Sequence, residues 1–468
     1  MAPPPPADHS SPPGRADTLG MDEAEMRRLA HRVADLVVDR LVRRGDEPAI
    51  RADSPAALRA RLGGTLPETP GDADAAIDTL VAGALAFQQH GDHPRYFARV
   101  PGPSSFAAIL GDWLGTGFNC IATSWAGGSG TATTELVALD WMRAFLGLAP
   151  GGDGILTSGG SIANFTALAA ARDAVDPGAA GTVLLSDQVH ASIPRALRLL
   201  GYARERIRVL PTDADFRLPA AAVAAALDQS PTAGILVASA GTTNTGAVDP
   251  LAELADLAAR HRLWFHVDGS YGAVAAALPE EAPRFLGMDR ADSLATDPHK
   301  WLFQPYDIGC TFVRRPGALL GTFAMAPEYL KDTAASTGET GFGNLGPELT
   351  RRARGLKLWL TFRIHGAAVL RDAIRHGIEL AREAEALLRR DAGRYEVVTS
   401  ANLAIVTFAL RGADAATHEA AVKRVSAEGF ATLSTTTLRG RSVLRLCTLN
   451  PLTTPADLAG TLDRVARG

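Results

Sequence analysis

Cysteine and lysine are the scarce residues of this 468-residue chain. The three cysteines, Cys120, Cys310 and Cys447, are odd in number, far apart and without any C-x-x-C spacing. A disulfide framework and a structural zinc site are therefore not expected. An excess of one charge is also missing: 47 basic residues face 51 acidic ones, a formal net charge of −4. Nucleic-acid binders and membrane-surface proteins need a basic excess, so neither partner is expected. No apolar run approaches the ~20 residues that span a bilayer. The first residues lack the charged start and apolar core of a signal peptide. The expectation is a soluble cytoplasmic protein, and its 46% hydrophobic content is enough for a sizeable core.

Of the 47 basic residues only four are lysines: Lys300, Lys331, Lys357 and Lys423. Arginine serves wherever a plain positive charge suffices. A lysine in apolar surroundings is then a candidate for chemistry that needs an amine. Lys357, among Arg351, Arg352 and Arg354, reads as a solvated helix lysine, as does Lys423.

Residues 1–20 are rich in proline and small polar residues and read as a disordered tail. Apolar periodicity predicts helices over Asp22–Arg44 and Asp72–Gln89, a packing arm within 21–105. From Pro150 to Arg315 the pattern is α/β. Strands are expected at Gly154–Leu156, Thr182–Ser186, Ile207–Leu210, Gly234–Ser239, Leu263–Val267 and Thr311–Arg314. Helices are expected at Ala163–Ala174, Pro219–Leu227 and Pro250–His261. Continuous rather than alternating apolar strands imply a mainly parallel sheet buried on both faces. A long weakly patterned stretch, Thr322–Pro347, reads as a lid or a disordered loop. A helix over Glu348–His365 then opens a smaller α+β section with strands at Tyr395–Thr399, Leu403–Ala409 and Ser442–Cys447. The domain division is 1–20, 21–105, 106–357 and 358–468.

Four groups follow predicted strands in order. Thr157-Ser158-Gly159-Gly160-Ser161 opens an alanine-rich helix and could cradle a phosphate, although a glycine-serine turn alone is weak. His190 could stack on a heteroaromatic ring or simply be structural. Thr243 offers a hydroxyl. Asp268 ends a buried strand, where a carboxylate needs a cationic partner such as a protonated pyridine nitrogen; capping the next turn is the competing role. Lys300 follows, bounded by Pro298, His299 and Trp301. Desolvation there should lower its pKa and let a neutral amine attack an aldehyde. A structural lysine on a turn is the alternative. Together the groups match the phosphate, ring face, ring nitrogen and aldehyde of pyridoxal 5'-phosphate.

The same residues carry a resemblance. His93-Pro94-Arg95-Tyr96-Phe97-Ala98, Ser124-Trp125, SGGSIAN at 158–164, Asp187-Gln188-Val189-His190, Gly241-Thr242-Thr243, His266-Val267-Asp268 and Asp297-Pro298-His299-Lys300-Trp301 resemble the group II pyridoxal-phosphate-dependent decarboxylases, typified by aromatic-L-amino-acid decarboxylase. The resemblance runs from about residue 20 to the end.

It implies a fold-type-I transferase: a large domain on a seven-stranded, mainly parallel sheet, a smaller C-terminal domain and an N-terminal helical arm. It also implies a homodimer with active sites at the interface. Lys300 would bind the cofactor covalently, Asp268 would pair with its ring nitrogen and His190 would stack on the ring. Gly160, Ser161 and His299 would lie at the phosphate, with Thr243 and Ser270 beside the ring. Tyr329, in the long loop, would protonate the substrate's α-carbon; related aldehyde synthases often carry phenylalanine there. Loop closure would exclude water and oxygen.

The candidate substrate-pocket residues are Arg99, Val100, Pro101, Gly102 and Thr123; by the resemblance, animal decarboxylases place Tyr and Phe at the Arg99 and Val100 positions and Phe at that of Thr123. None of the five residues is aromatic here. An aromatic L-amino acid is the expected substrate, and an aliphatic or acidic one is the alternative. Aldehyde synthesis, transamination and a catalytically silent scaffold are the rival activities.

Overall fold

The computed structural model describes residues 19–100, 102–230, 232–325 and 338–467. These divide into a helical unit, 19–46 with 53–87, and a main unit, 47–52 with 88–467. In the helical unit, α1 (Glu23–Arg43) starts where the Asp22 carboxylate accepts the Glu25 amide. It places acids in its first turn and arginines in its last, as the helix dipole favours. α2 spans Pro55–Leu62 and α3 spans Ala73–Leu80. The helix expected to reach Gln89 widens after Leu80 into a π turn, Val81–Leu85. A Cβ on Gly83 would meet Leu62 Cδ2 at 2.9 Å, so this turn lies close against α2.

The main unit opens with two helices the periodicity did not reveal, α4 (Phe106–Gly117) and α5 (Trp125–Leu146). Then come β1 (Asp153–Thr157), α6 (Gly160–Val175), β2 (Thr182–Ser186), α7 (Ser192–Leu199), β3 (Ile207–Leu210), α8 (Ala220–Gln229), β4 (Ala233–Ser239), α9 (Leu251–His261), β5 (Trp264–Asp268), β6 (Ser293–Thr296), α10 (Pro298–Trp301), β7 (Gly309–Val313) and α11 (Ala318–Phe323). The seven strands form one sheet in the order β1-β7-β6-β5-β4-β2-β3. β7 runs antiparallel to both its neighbours, and the other six are mutually parallel. β2, β5, β6 and β7 are buried along their whole length, as expected of a sheet covered on both faces.

After the sheet, α12 (Gly355–Arg390) leads into β8 (Tyr395–Asn402), β9 (Ile405–Leu410), α13 (Ala415–Ala427), β10 (Ser434–Leu438), β11 (Arg441–Cys447) and α14 (Pro455–Val465). The four strands form a separate antiparallel sheet, β10-β11-β9-β8. Its core gathers Phe97, Leu380, Val406, Phe408, Leu444 and Leu458. The α12 helix begins later than expected and runs on past Gly366, where a φ of 74° breaks the helical path. Its late start has a cause. Arg351 and Arg354 are held before it by carboxylates, and a Cβ on Gly355 would meet Glu135 Cα at 2.7 Å.

Arg351 and Glu135 form a fully buried, bidentate ion pair with contacts of 2.7 and 3.2 Å. Arg351 also donates to the carbonyls of Ala122 and Leu156, while Glu135 accepts the Leu156 amide. The pair thus fastens α5 and the end of β1 to the chain before α12. Glu135→Gln leaves an arginine buried without its countercharge, a loss of about 3–5 kcal/mol. Thermal melting should show a clearly lower midpoint; an unchanged midpoint contradicts this reading. Lys357 corrects an expectation: it is buried, bonded to Asp112 at 3.2 Å and to the Pro305 carbonyl at 2.8 Å. Burial pulls its pKa down against the pull of Asp112. Lys423 is exposed, as expected.

Candidate active site

Parallel neighbours end on one edge of a sheet, and ligands gather at that carboxyl edge. Five of these strands deliver the predicted residues there. β1 ends into Gly159-Gly160, β2 into His190, β4 into Gly241–Thr243, β5 at Asp268 and β6 into Asp297–Lys300. β7 starts at the same edge, where a Cβ on Gly309 would meet the Gly159 backbone at 2.5 Å.

Lys300 is the hub. Its Nζ lies 2.8 Å from Asp297 Oδ2, and its side chain is about 20% exposed. The expectation of a lowered pKa is corrected. Burial does pull it down, but the bonded Asp297 carboxylate and the nearby Asp268 outweigh burial and raise it. Asp297 is itself buried, and among the described residues its Oδ1 has no hydrogen-bond partner. Next door, Asp268 Oδ1 accepts the Ser270 hydroxyl at 2.6 Å and the Ser270 amide at 3.1 Å. A Cβ on Gly160 would meet Asp297 Oδ2 at 2.6 Å and Ser270 Oγ at 2.7 Å. Gly160, Ser270, Asp268, Asp297 and Lys300 therefore form one linked group, closed around a position where a Cβ would crowd the Asp297 and Ser270 side chains. On its other side His299 Cε1 lies 3.1 Å from where a Gly159 Cβ would sit, and its ring meets Tyr306 at 4.9 Å.

A profile described as "Pyridoxal-dependent decarboxylase conserved domain" matches residues 55–411. The chain belongs to this family. It is 40% identical to an aromatic-L-amino-acid decarboxylase of Bacillus atrophaeus, over 96% of each chain. It is 31% identical to a phenylacetaldehyde synthase of Arabidopsis thaliana, over 92% of this chain and 93% of the other. The crystal structure of Oryza sativa TDC with PLP and tryptamine superposes with a TM-score of 0.90 at 30% identity, covering 95% and 97% of the two chains. The reaction is pyridoxal-phosphate-dependent decarboxylation of an amino acid.

The residues of this decarboxylase fit that cofactor. The first turn of α6 has no side-chain cap, so its amides, with Gly160, Ser161 and His299, would hold the phosphate. Asp268, steadied by Ser270, would hold a protonated ring nitrogen. Lys300 would take the aldehyde. His190 is exposed and Thr243 half-buried, free to border the ring.

The outer positions are more dispersed. A Cβ on Gly102 would strike the Lys300 and His299 carbonyls at 2.0 and 2.2 Å, so this strip packs directly on the lysine's backbone. Arg99 is exposed, at a positive φ of 55°, and Val100 packs against the core. Thr123 is engaged by Gly343 and Arg351, through its carbonyl at 2.8 Å and its hydroxyl at 3.3 Å. Tyr329 and Pro101 lie outside the described residues. One residue escaped sequence reasoning. Arg445 is buried and donates to the Arg99 carbonyl at 2.5 Å; among the described residues its Nε and Nη2 meet no oxygen or nitrogen partner. An arginine inside the apolar strand Ser442–Cys447 was the signal.

Proposed function

We propose that the protein converts an aromatic L-amino acid to its amine and carbon dioxide, acting in the cytoplasm as a homodimer. The Lys300–Asp297–Asp268–Gly160 group carries this reading, together with likeness to an aromatic decarboxylase over 96% of the chain. Bound pyridoxal phosphate supplies an electron sink for the pair left by the departing carboxylate. Lys300 must first shed a proton, and Asp297 Oδ2 is at hand to accept it. Asp268 holds the positive charge on the ring nitrogen, and His190 covers one face. The guanidinium of Arg445 orients the substrate's carboxylate. Tyr329 then delivers a proton to the α-carbon.

The domains act as 21–105, a dimerisation arm; 106–357, the cofactor domain; and 358–468, the small domain. Exposed apolar side chains support the dimer: Trp113, Leu114, Phe118 and Ile121 along and after α4, and Met26, Val33 and Val42 on α1. A second copy would cover them.

The test is a panel of L-amino acids, assayed for carbon dioxide and amine together. An aromatic substrate should exceed aliphatic and acidic ones by at least about tenfold in kcat/KM, the worth of a missing apolar contact or more. Preference for an acidic substrate would overturn the aromatic assignment. Tyr329→Phe should lower amine formation by about 100-fold. Its remaining flux should consume dioxygen and yield aldehyde, ammonia and peroxide. Unchanged amine formation would remove Tyr329 from the proton path.

A further inference from the structure

Behind His190 runs a chain of buried polar side chains that the decarboxylation reading leaves unused. His190 Nδ1 lies 2.8 Å from Ser192 Oγ. Ser192 Oγ accepts from Asn164 Nδ2 at 3.1 Å. Asn164 Oδ1 lies 2.9 Å from His266 Nε2. His266 Nδ1 lies 2.9 Å from Ser293 Oγ, which accepts the Trp264 indole N–H at 2.8 Å. All five residues behind His190 are at most 4% exposed.

The near end sets the direction of these bonds. The Ser192 backbone N–H can only donate, and it reaches His190 Nδ1 at 3.2 Å, so Nδ1 accepts. The Ser192 hydroxyl, 2.8 Å from the same nitrogen, then donates to it as well. With that proton spent, Ser192 Oγ accepts from the Asn164 amide, and Asn164 Oδ1 is left to accept from His266 Nε2. Burial pushes the His266 pKa down to about 4, against the pull of Asp268, so the ring is neutral at physiological pH. Its Nδ1 then accepts the Ser293 hydroxyl, whose oxygen also accepts the Trp264 indole N–H. Donor and acceptor match at each link, and bonds in such a series polarise one another in one sense.

We propose that Asn164 and Ser192 are positioning residues that, through this one-way relay from Trp264, hold the neutral His190 ring as its Nε2–H tautomer with a fixed ring plane. The consequence rests on the reading of His190 as the residue covering the reacting face. There it makes Nε2 a permanent donor, never an acceptor. The strands explain how residues so distant in sequence meet: Trp264 and His266 lie on β5, Ser293 on the neighbouring β6, Asn164 on α6 and Ser192 at the start of α7.

Asn164→Asp reverses the relay without changing its shape, since a carboxylate cannot donate to Ser192. The hydroxyl of Ser192 then turns to Asp, and His190 Nδ1 keeps only the longer bond from the Ser192 backbone N–H. The test uses holoenzyme labelled with ¹⁵N-histidine, His190 being assigned by the signal lost in His190→Gln. In the wild type, long-range ¹H–¹⁵N spectra should show a pyrrole-type Nε2 and a pyridine-type Nδ1. In Asn164→Asp the two should exchange or average, with kcat down about tenfold, the usual order for an outer partner, and KM within about twofold. Ser192→Ala, a smaller change that guards against misfolding, should blur the two resonances. Ser192→Thr, which keeps the hydroxyl, should restore them. An unaltered His190 pattern in both Asn164→Asp and Ser192→Ala overturns the relay. An altered pattern with unchanged kcat overturns its link to the chemistry. The spectra are read whether or not any amino acid is decarboxylated, so failure of the relay and failure of the functional reading are distinguishable.

Discussion

Lys300→Ala is expected to slow carbon dioxide release by ~10⁴-fold or more, the scale of removing a covalent catalyst. The reason is local. Among the described lysines only Lys300 stands in the linked group of Asp297, Asp268, Ser270 and Gly160. Lys300→Arg sharpens the test. It keeps a positive charge against Asp297, but a guanidinium cannot deprotonate or condense with an aldehyde. If charge alone mattered, the arginine variant would retain activity. Loss in both variants assigns the effect to the amine; substantial turnover in either contradicts the account.

Asp268→Asn should lower kcat by about 10²–10³-fold, the usual cost of removing one preorganised electrostatic contact at a reacting centre. The asparagine keeps the shape and can still accept from Ser270, whose amide and hydroxyl bonds hold the carboxylate at the end of β5. Only the negative charge is lost, and with it the partner for a protonated ring nitrogen. Steady-state kinetics, with a titration of cofactor affinity alongside, measures both consequences. A variant with full kcat would show that the ring nitrogen finds its charge elsewhere.

The strongly apolar strands were legible in the sequence because burial on both faces leaves a continuous hydrophobic run. β2 and β3 fall at the expected residues, and β1, β4 and β5 within one residue at each end. β6 was not legible, since Ser293–Thr296 is four residues of mixed character whose identity comes from its neighbours. The α5 helix hid behind the Gly127–Gly130 run, and the backbone does leave helical geometry at Gly128. Site residues with a distinctive local setting, such as Lys300 and Asp268, stood out. Their electrostatics did not. Proline, histidine and tryptophan around Lys300 suggest desolvation, but the deciding partner, Asp297, becomes visible only when the turn of α10 brings it to 2.8 Å. Lys357 failed in the opposite sense: a helix lysine among arginines looks solvated until Asp112 and the Pro305 carbonyl enclose it. The relay behind His190 draws on residues 164, 192, 264, 266 and 293, and no local pattern joins them.

The central claim is that the amine of Lys300 carries the cofactor. Borohydride reduction of the purified protein, followed by peptide mass mapping, tests it most directly. With only four lysines in the chain the outcome is easily read. The account predicts a phosphopyridoxyl mass on the peptide containing Asp297–Trp301, at Lys300, and its absence from Lys300→Ala. A label on Lys357, which is buried, or no label after loading with pyridoxal phosphate, would contradict it.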